Sequence, residues 1–251
     1  MDWELLTIVG PALIAGLMVA LTHAPLGIEV LKRGIIFIDL AIAQIAGLGL
    51  VVASSVLHDP PWWIIQLSAL VFALVAAFFF RYVERKAPTL QETIIGCCFV
   101  LAASLALLIL ANQPNGGEEI EHLLSGQILF VSWGEILSHA PIYAGVLALW
   151  FGLPSIRHGV GFYVMFAFVI TSSVQLVGVY VVFASLILPA LAALHKLKPY
   201  VSAWLCGGLS VLFGIIVSAF LDLPAGPLLV VSYALVCLLM QLKLLGFSQS
   251  L

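Results

Sequence analysis

The stretch FYVMFAFVITSSVQLVGVYVVFASLILPALAAL, Phe162–Leu194, decides how this chain folds. It runs uncharged between Arg157 and Lys196. One helical crossing of a bilayer core takes about 20 residues, and basic residues gather on the cytoplasmic side. Keeping Arg157 and Lys196 on that side requires the stretch to cross twice. Its length is short for two full spans, which predicts that at least one half is broken or re-entrant. Gly178 and Pro189 are the expected break points.

Outward from this stretch, the same reading gives seven further apolar segments. These are Leu5–Thr22, Ile35–Val56, Trp62–Phe80, Thr93–Ala111, Ile136–Leu153, Val201–Phe220 and Leu228–Leu242. With the N-terminus outside and the C-terminus inside, all nine Lys and Arg residues fall in the cytoplasm. The chain is 63% hydrophobic and 8% charged, against about a quarter charged in a soluble domain. The expectation is an all-α polytopic transmembrane bundle of eight or nine passes, embedded in a lipid bilayer as one domain over residues 1–251. Barrel strands would alternate over about ten residues, and these runs are continuous. The start, Met1-Asp2-Trp3-Glu4, is acidic where a signal peptide needs basic residues. No basic stripe points to nucleic acid. Cys97, Cys98, Cys206 and Cys237 sit within apolar segments and read as small packing residues.

Polar residues inside such segments are the candidates for function. Asp39 stands in an early span, and Gln44 follows about 140° round the helix. The competing reading places Asp39 near the cytoplasmic end, capping or pairing with Arg33. Thr171, Ser172, Ser173 and Gln175 form a second cluster, suited either to helix–helix bonding or to lining a permeation path. The loop between the fourth and fifth segments holds Glu118, Glu119, Glu121 and His122. It is a solvated acidic loop, a mouth that attracts cations, or a docking site for a partner outside the membrane. His139 is ambiguous, and His23, His58, His158 and His195 read as ordinary loop or interface residues. No phosphate-binding loop, nucleophile elbow or His-Glu-x-x-His motif occurs, so energy for any transport comes from a gradient or from a separate ATPase.

Four elements carry a family resemblance. They are Ala24-Pro-Leu-Gly27 followed by Arg33 and Asp39; Glu121-His-Leu-Leu-Ser-Gly126-Gln-Ile-Leu; Gln175-Leu-Val-Gly178 through Leu186-Ile-Leu-Pro189-Ala; and Asp222-Leu-Pro-Ala-Gly226-Pro227. In this order they resemble the integral-membrane permease subunit of bacterial ABC importers for zinc, manganese and related divalent metals. The resemblance implies a homodimer in the cytoplasmic (inner) membrane of a bacterium, seated on two cytoplasmic ATPase subunits and supplied by an extracytoplasmic metal-binding protein. It implies no bound cofactor; the metal (zinc, manganese or iron) is the cargo. Asp39, Gln44 and Gln175 become the transient ligands, with Glu118, Glu121 and His122 at the outer mouth.

Two departures from the family accompany this. Where many relatives place a His four residues after the Asp, this chain has Ala43. The cytoplasmic stretch Leu153–Gly161, which in relatives is longer and docks the ATPase, is nearly gone, so Arg157 or the Arg81–Gln91 loop becomes the expected contact. The expected function is a divalent-metal ABC permease without an ATPase site of its own. The alternatives are a gradient-driven cation carrier or channel, in which Asp39 is a protonation site, and a non-transporting membrane scaffold. Glycine-rich faces at Gly47/Gly49 and Gly207/Gly208 are the candidate dimer contacts.

Overall fold

The computed structural model describes residues 3–57, 60–111, 124, 126, 128–194 and 196–247. Among them are nine α-helices: α1 (Trp3–Arg33), α2 (Ile38–Val56), α3 (Trp62–Lys86), α4 (Gln91–Leu110), α5 (Trp133–Gly152), α6 (Val160–Val177), α7 (Val179–Ala192), α8 (Pro199–Leu221) and α9 (Ala225–Phe247). Seven are long and apolar enough to cross a membrane. The 20-residue α5 carries Glu135, Ser138 and His139 in its first turns, and the 14-residue α7 is short. At about 1.5 Å per residue α7 reaches roughly 21 Å, less than a full bilayer core. Counted in series, the basic residues all fall at or just past the C-terminal ends of α1, α3, α5, α7 and α9.

The break in Phe162–Leu194 falls at Gly178, with φ 78° and ψ 162°. That region of backbone space is essentially glycine-only. Pro189 does not break the chain; it lies inside α7. The expected turn at Ala24-Pro-Leu-Gly27 is likewise absent, because α1 continues through Pro25 to Arg33. Pro25 frees the carbonyl four residues back, and the Trp204 indole N–H donates to that Leu21 oxygen at 3.0 Å. Gly27 serves close approach instead of a turn: a Cβ there would overlap the Leu186 carbonyl of α7.

The chain divides into two compact units. The first takes residues 1–33, 125–141 and 176–251. In it α1 packs on α7 and α8, and α9 packs on α7 and α8. Small residues permit this: Ala12, Ala15, Ala20 and Ala24 of α1 are all buried. The dimer face expected at Gly207 is internal, since a Cβ there would stand 3.0 Å from the Ala20 methyl. Cys206 and Cys237 are buried together beside Ala192, as packing residues.

The second unit takes residues 34–124 and 142–175, with α2 packed between α3 and α4. Gly49 is used internally here as well, with a virtual Cβ 2.9 Å from the Ser68 carbonyl of α3. Ser68 Oγ donates back to the Gly49 carbonyl at 2.7 Å. Burial separates centre from edge: 72% of the α6 span is covered against 17% of the α4 span. The covered face of α6 presents Phe162, Tyr163, Phe166 and Ile170. The exposed Trp62 and Trp63 at the start of α3 suit a membrane–water interface.

Candidate functional site

Among the described residues, the buried side-chain polar atoms without hydrogen-bond partners lie in the second unit. Gly34, at φ 68°, turns the chain after α1, and α2 begins at Ile38. Asp39 therefore sits in the first turn of α2, not deep in a span. It is nonetheless fully buried, and neither carboxylate oxygen makes a hydrogen bond. Arg33, the pairing partner considered above, donates from Nε to Glu29 at 3.1 Å. A buried carboxylate without hydrogen bonds is costly unless a proton or cation joins it.

Glu92, in the first turn of α4, completes this corner. One of its oxygens, Oε1, accepts the Phe37 N–H at 3.2 Å, which caps α2 from a helix 55 residues along the chain. The other, Oε2, is buried without a partner. Nothing in the sequence flagged Glu92, because its partner is a backbone N–H on another helix. Gln44 is 6% exposed and lies further along α2. Ala43, one turn after Asp39, is fully buried and offers only a methyl.

On α6 the second polar cluster supplies one helix–helix bond and leaves other polar atoms without partners. The Tyr143 hydroxyl and Ser173 Oγ, 2.8 Å apart, bind α5 to α6. Thr171 Oγ1 and both polar atoms of the Gln175 amide are buried without partners. At the opposite end of α6, Tyr163 OH accepts from Gln91 Nε2 at 2.8 Å. Among the described residues no group of three or more His, Cys, Asp and Glu could hold a metal ion. Glu118, Glu119, Glu121 and His122 lie outside the described residues.

In the first unit three of the sequence elements converge. Gly126, at φ 66°, is pressed so closely on the Val177–Gly178 peptide that a Cβ would overlap its atoms. A cavity of about 300 Å³ is lined by Gly126, Ile128 and Phe130 on one side and Asp222, Pro224 and Gly226 on the other. Asp222 ends α8 in the left-handed region at φ 52°. Ser218 Oγ closes that turn on the Leu223 carbonyl at 2.6 Å. The described residues of these motifs act as backbone joints.

His23 reads differently in three dimensions. It is fully buried in α1, with Nδ1 2.7 Å from Ser185 Oγ of α7. Ser185 in turn donates to the Val182 carbonyl at 2.9 Å. The signal was obscure because the two residues are 162 positions apart. The shortened loop after α5 is a single 3-10 turn, Pro154–Arg157. Arg157 Nε donates to the Trp150 carbonyl at 2.7 Å, and its guanidinium lies over the Trp150 ring. Arg157 therefore caps its own helix, and Arg85 in the last turn of α3 is the more exposed of the two expected ATPase contacts.

The profile described as ABC 3 transport family matches residues 6–155 and 146–243. The chain is 23% identical to the high-affinity zinc uptake system membrane protein ZnuB of Haemophilus influenzae, over 93% of this chain and 96% of that protein. It is 23% identical to the manganese transport system membrane protein MntC of Halalkalibacterium halodurans, over 86% of this chain and 80% of that one. In fold it is similar to a chain of PsaBC from Streptococcus pneumoniae solved in complex with a Fab. The TM-score is 0.75 at 21% identity, covering 93% of this chain and 90% of that chain.

Proposed function

Because this chain belongs to the ABC 3 transport family, we propose that it is the permease subunit of an importer that moves a divalent metal cation across the cytoplasmic membrane of a bacterium. The observation that carries this reading is the family match along both halves of the chain. The names of its zinc and manganese relatives supply the cargo class. Energy comes from a separate cytoplasmic ATPase, and the cation from an extracytoplasmic binding protein. The permease works as one transmembrane domain, paired with a second copy, its N-terminus outside and its C-terminus inside.

The residues divide by position. Glu118, Glu119, Glu121 and His122 attract the cation outside. Asp39, with Gln44 and Gln175 as amide donors, ligates it transiently on the way through. Arg85 and its neighbours on the α3–α4 loop meet the ATPase. Asp39 supports the ligand role because it is buried with both oxygens unpartnered.

The partner claim is tested by ATP hydrolysis in nanodiscs. Permease co-expressed with its ATPase should hydrolyse ATP faster when metal-loaded binding protein is added outside. Arg85→Glu should uncouple that stimulation. An ATPase that neither co-purifies with the chain nor responds to the loaded binding protein would remove the importer reading.

A further inference from the structure

We propose that Asp39 and Glu92 together form an oxygen-only cation site at the adjoining starts of α2 and α4, selective for manganese-like over zinc-like ions. This rests on the importer reading above and adds a second ligating side chain and a cargo preference. Glu92 occupies the place of a ligand by geometry. Its Oε1 is fixed by the Phe37 N–H, two residues before Asp39 in the chain. That bond leaves Oε2 as the available arm, and Oε2 is buried with no hydrogen bond. With the two oxygens of Asp39, three buried carboxylate oxygens at one helix start have no hydrogen-bond partner.

A fully buried carboxylate and a partly buried one at the same corner repel unless positive charge lies between them. No basic side chain among the described residues donates to any of the three oxygens. A divalent cation answers both the missing bonds and the repulsion. Its class follows from the donor set. Ala43 supplies no imidazole, and Asp39 and Glu92 offer only oxygen atoms for ligation. Carboxylate, amide oxygen and water suit manganese or magnesium, whereas zinc favours nitrogen and sulfur.

Glu92→Gln is the discriminating variant. Glutamine keeps an Oε1 acceptor for the Phe37 N–H, so the α2 cap survives, while the ligating oxygen is replaced by an amide donor. Manganese binding to the purified permease–ATPase complex is titrated by electron paramagnetic resonance, with zinc as competitor. Wild type should bind manganese more tightly than zinc. Glu92→Gln should weaken manganese about tenfold or more, and Glu92→Asp should weaken it less. Unchanged manganese affinity in Glu92→Gln overturns the proposal and leaves Glu92 as a cap. Tighter zinc binding in wild type overturns the cargo preference.

A second measurement needs no variant. Hydrophobic carbodiimide labels buried protonated carboxyls, and peptide mass spectrometry reads the modified residue. Manganese should protect both Asp39 and Glu92, and zinc at the same concentration should protect less. Labelling of Glu92 that is indifferent to manganese marks a proton-sharing pair and defeats the proposal. If wild type transports metal while Glu92 proves inert, only this inference fails. If wild type transports no metal, the importer reading itself fails.

Discussion

Replacing Gly178 by Ala should unseat the joint between α6 and α7. The backbone there stands at φ 78° and ψ 162°, a conformation that costs a side-chain-bearing residue roughly 1–3 kcal/mol. Gly126 presses on the same peptide from its own left-handed turn, so relaxation toward a helical conformation would collide with it. The penalty is therefore felt in full, at about 2 kcal/mol, which lowers the melting temperature of a chain this size by roughly 4–8 °C. The protein carries its own reporter, since Cys206 and Cys237 are buried. A thiol-reactive dye follows unfolding in detergent once the exposed Cys97 and half-buried Cys98 are changed to Ser. Gly96 is the control: it lies in α4 with nothing within 4 Å of a virtual Cβ. Gly96→Ala should melt with wild type or slightly above it. If Gly178→Ala and Gly96→Ala melt together, the joint is not where the strain argument places it.

Trp204→Phe removes the donor to the carbonyl that Pro25 frees; a loss of about 0.6 kcal/mol, the average for an interhelical bond, should appear in the same melting assay, and Pro25→Ala should cancel it. Ser185→Ala removes the 2.7 Å bond to the buried His23 and should destabilise by about 0.5–1.5 kcal/mol, the net worth of one hydrogen bond, whereas Ser185→Cys should lose less. Changing Glu118, Glu119 and Glu121 together to Gln should raise the half-saturating metal concentration at low salt. The difference should close at high ionic strength, because screening removes long-range attraction; a difference independent of salt would point to direct ligation instead.

Much of the fold was written in where charge is missing. The nine basic residues set the expected direction of each crossing, and length arithmetic on Phe162–Leu194 calls for a break at Gly178 or Pro189, of which the structure uses Gly178. Pro25 misled because a membrane helix tolerates a proline where a neighbouring helix satisfies the carbonyl it frees, and Pro189 likewise lies inside α7 without breaking it. Trp204 answers that carbonyl for Pro25, and sequence does not say which helix lies alongside. Gly27 and Gly49 looked like a turn and a dimer face for the same reason. What each glycine accommodates is a backbone carbonyl of a distant segment. The candidate site was half legible. Asp39 stood out as an ionisable residue in an apolar run, although the late start of α2 moves it to the helix end. Glu92 and His23 were hidden because a residue at a loop edge or beside a proline looks ordinary until its long-range partner is known.

The central claim meets its most direct test in proteoliposomes containing the permease, its ATPase and the metal-loaded binding protein, assayed for uptake of radiolabelled manganese and zinc. The account predicts ATP-dependent accumulation that is lost in Asp39→Asn and in a catalytically dead ATPase, with manganese favoured over zinc. Uptake that persists with the dead ATPase and collapses with the proton gradient would contradict it, and would make this chain a carrier with Asp39 as its protonation site.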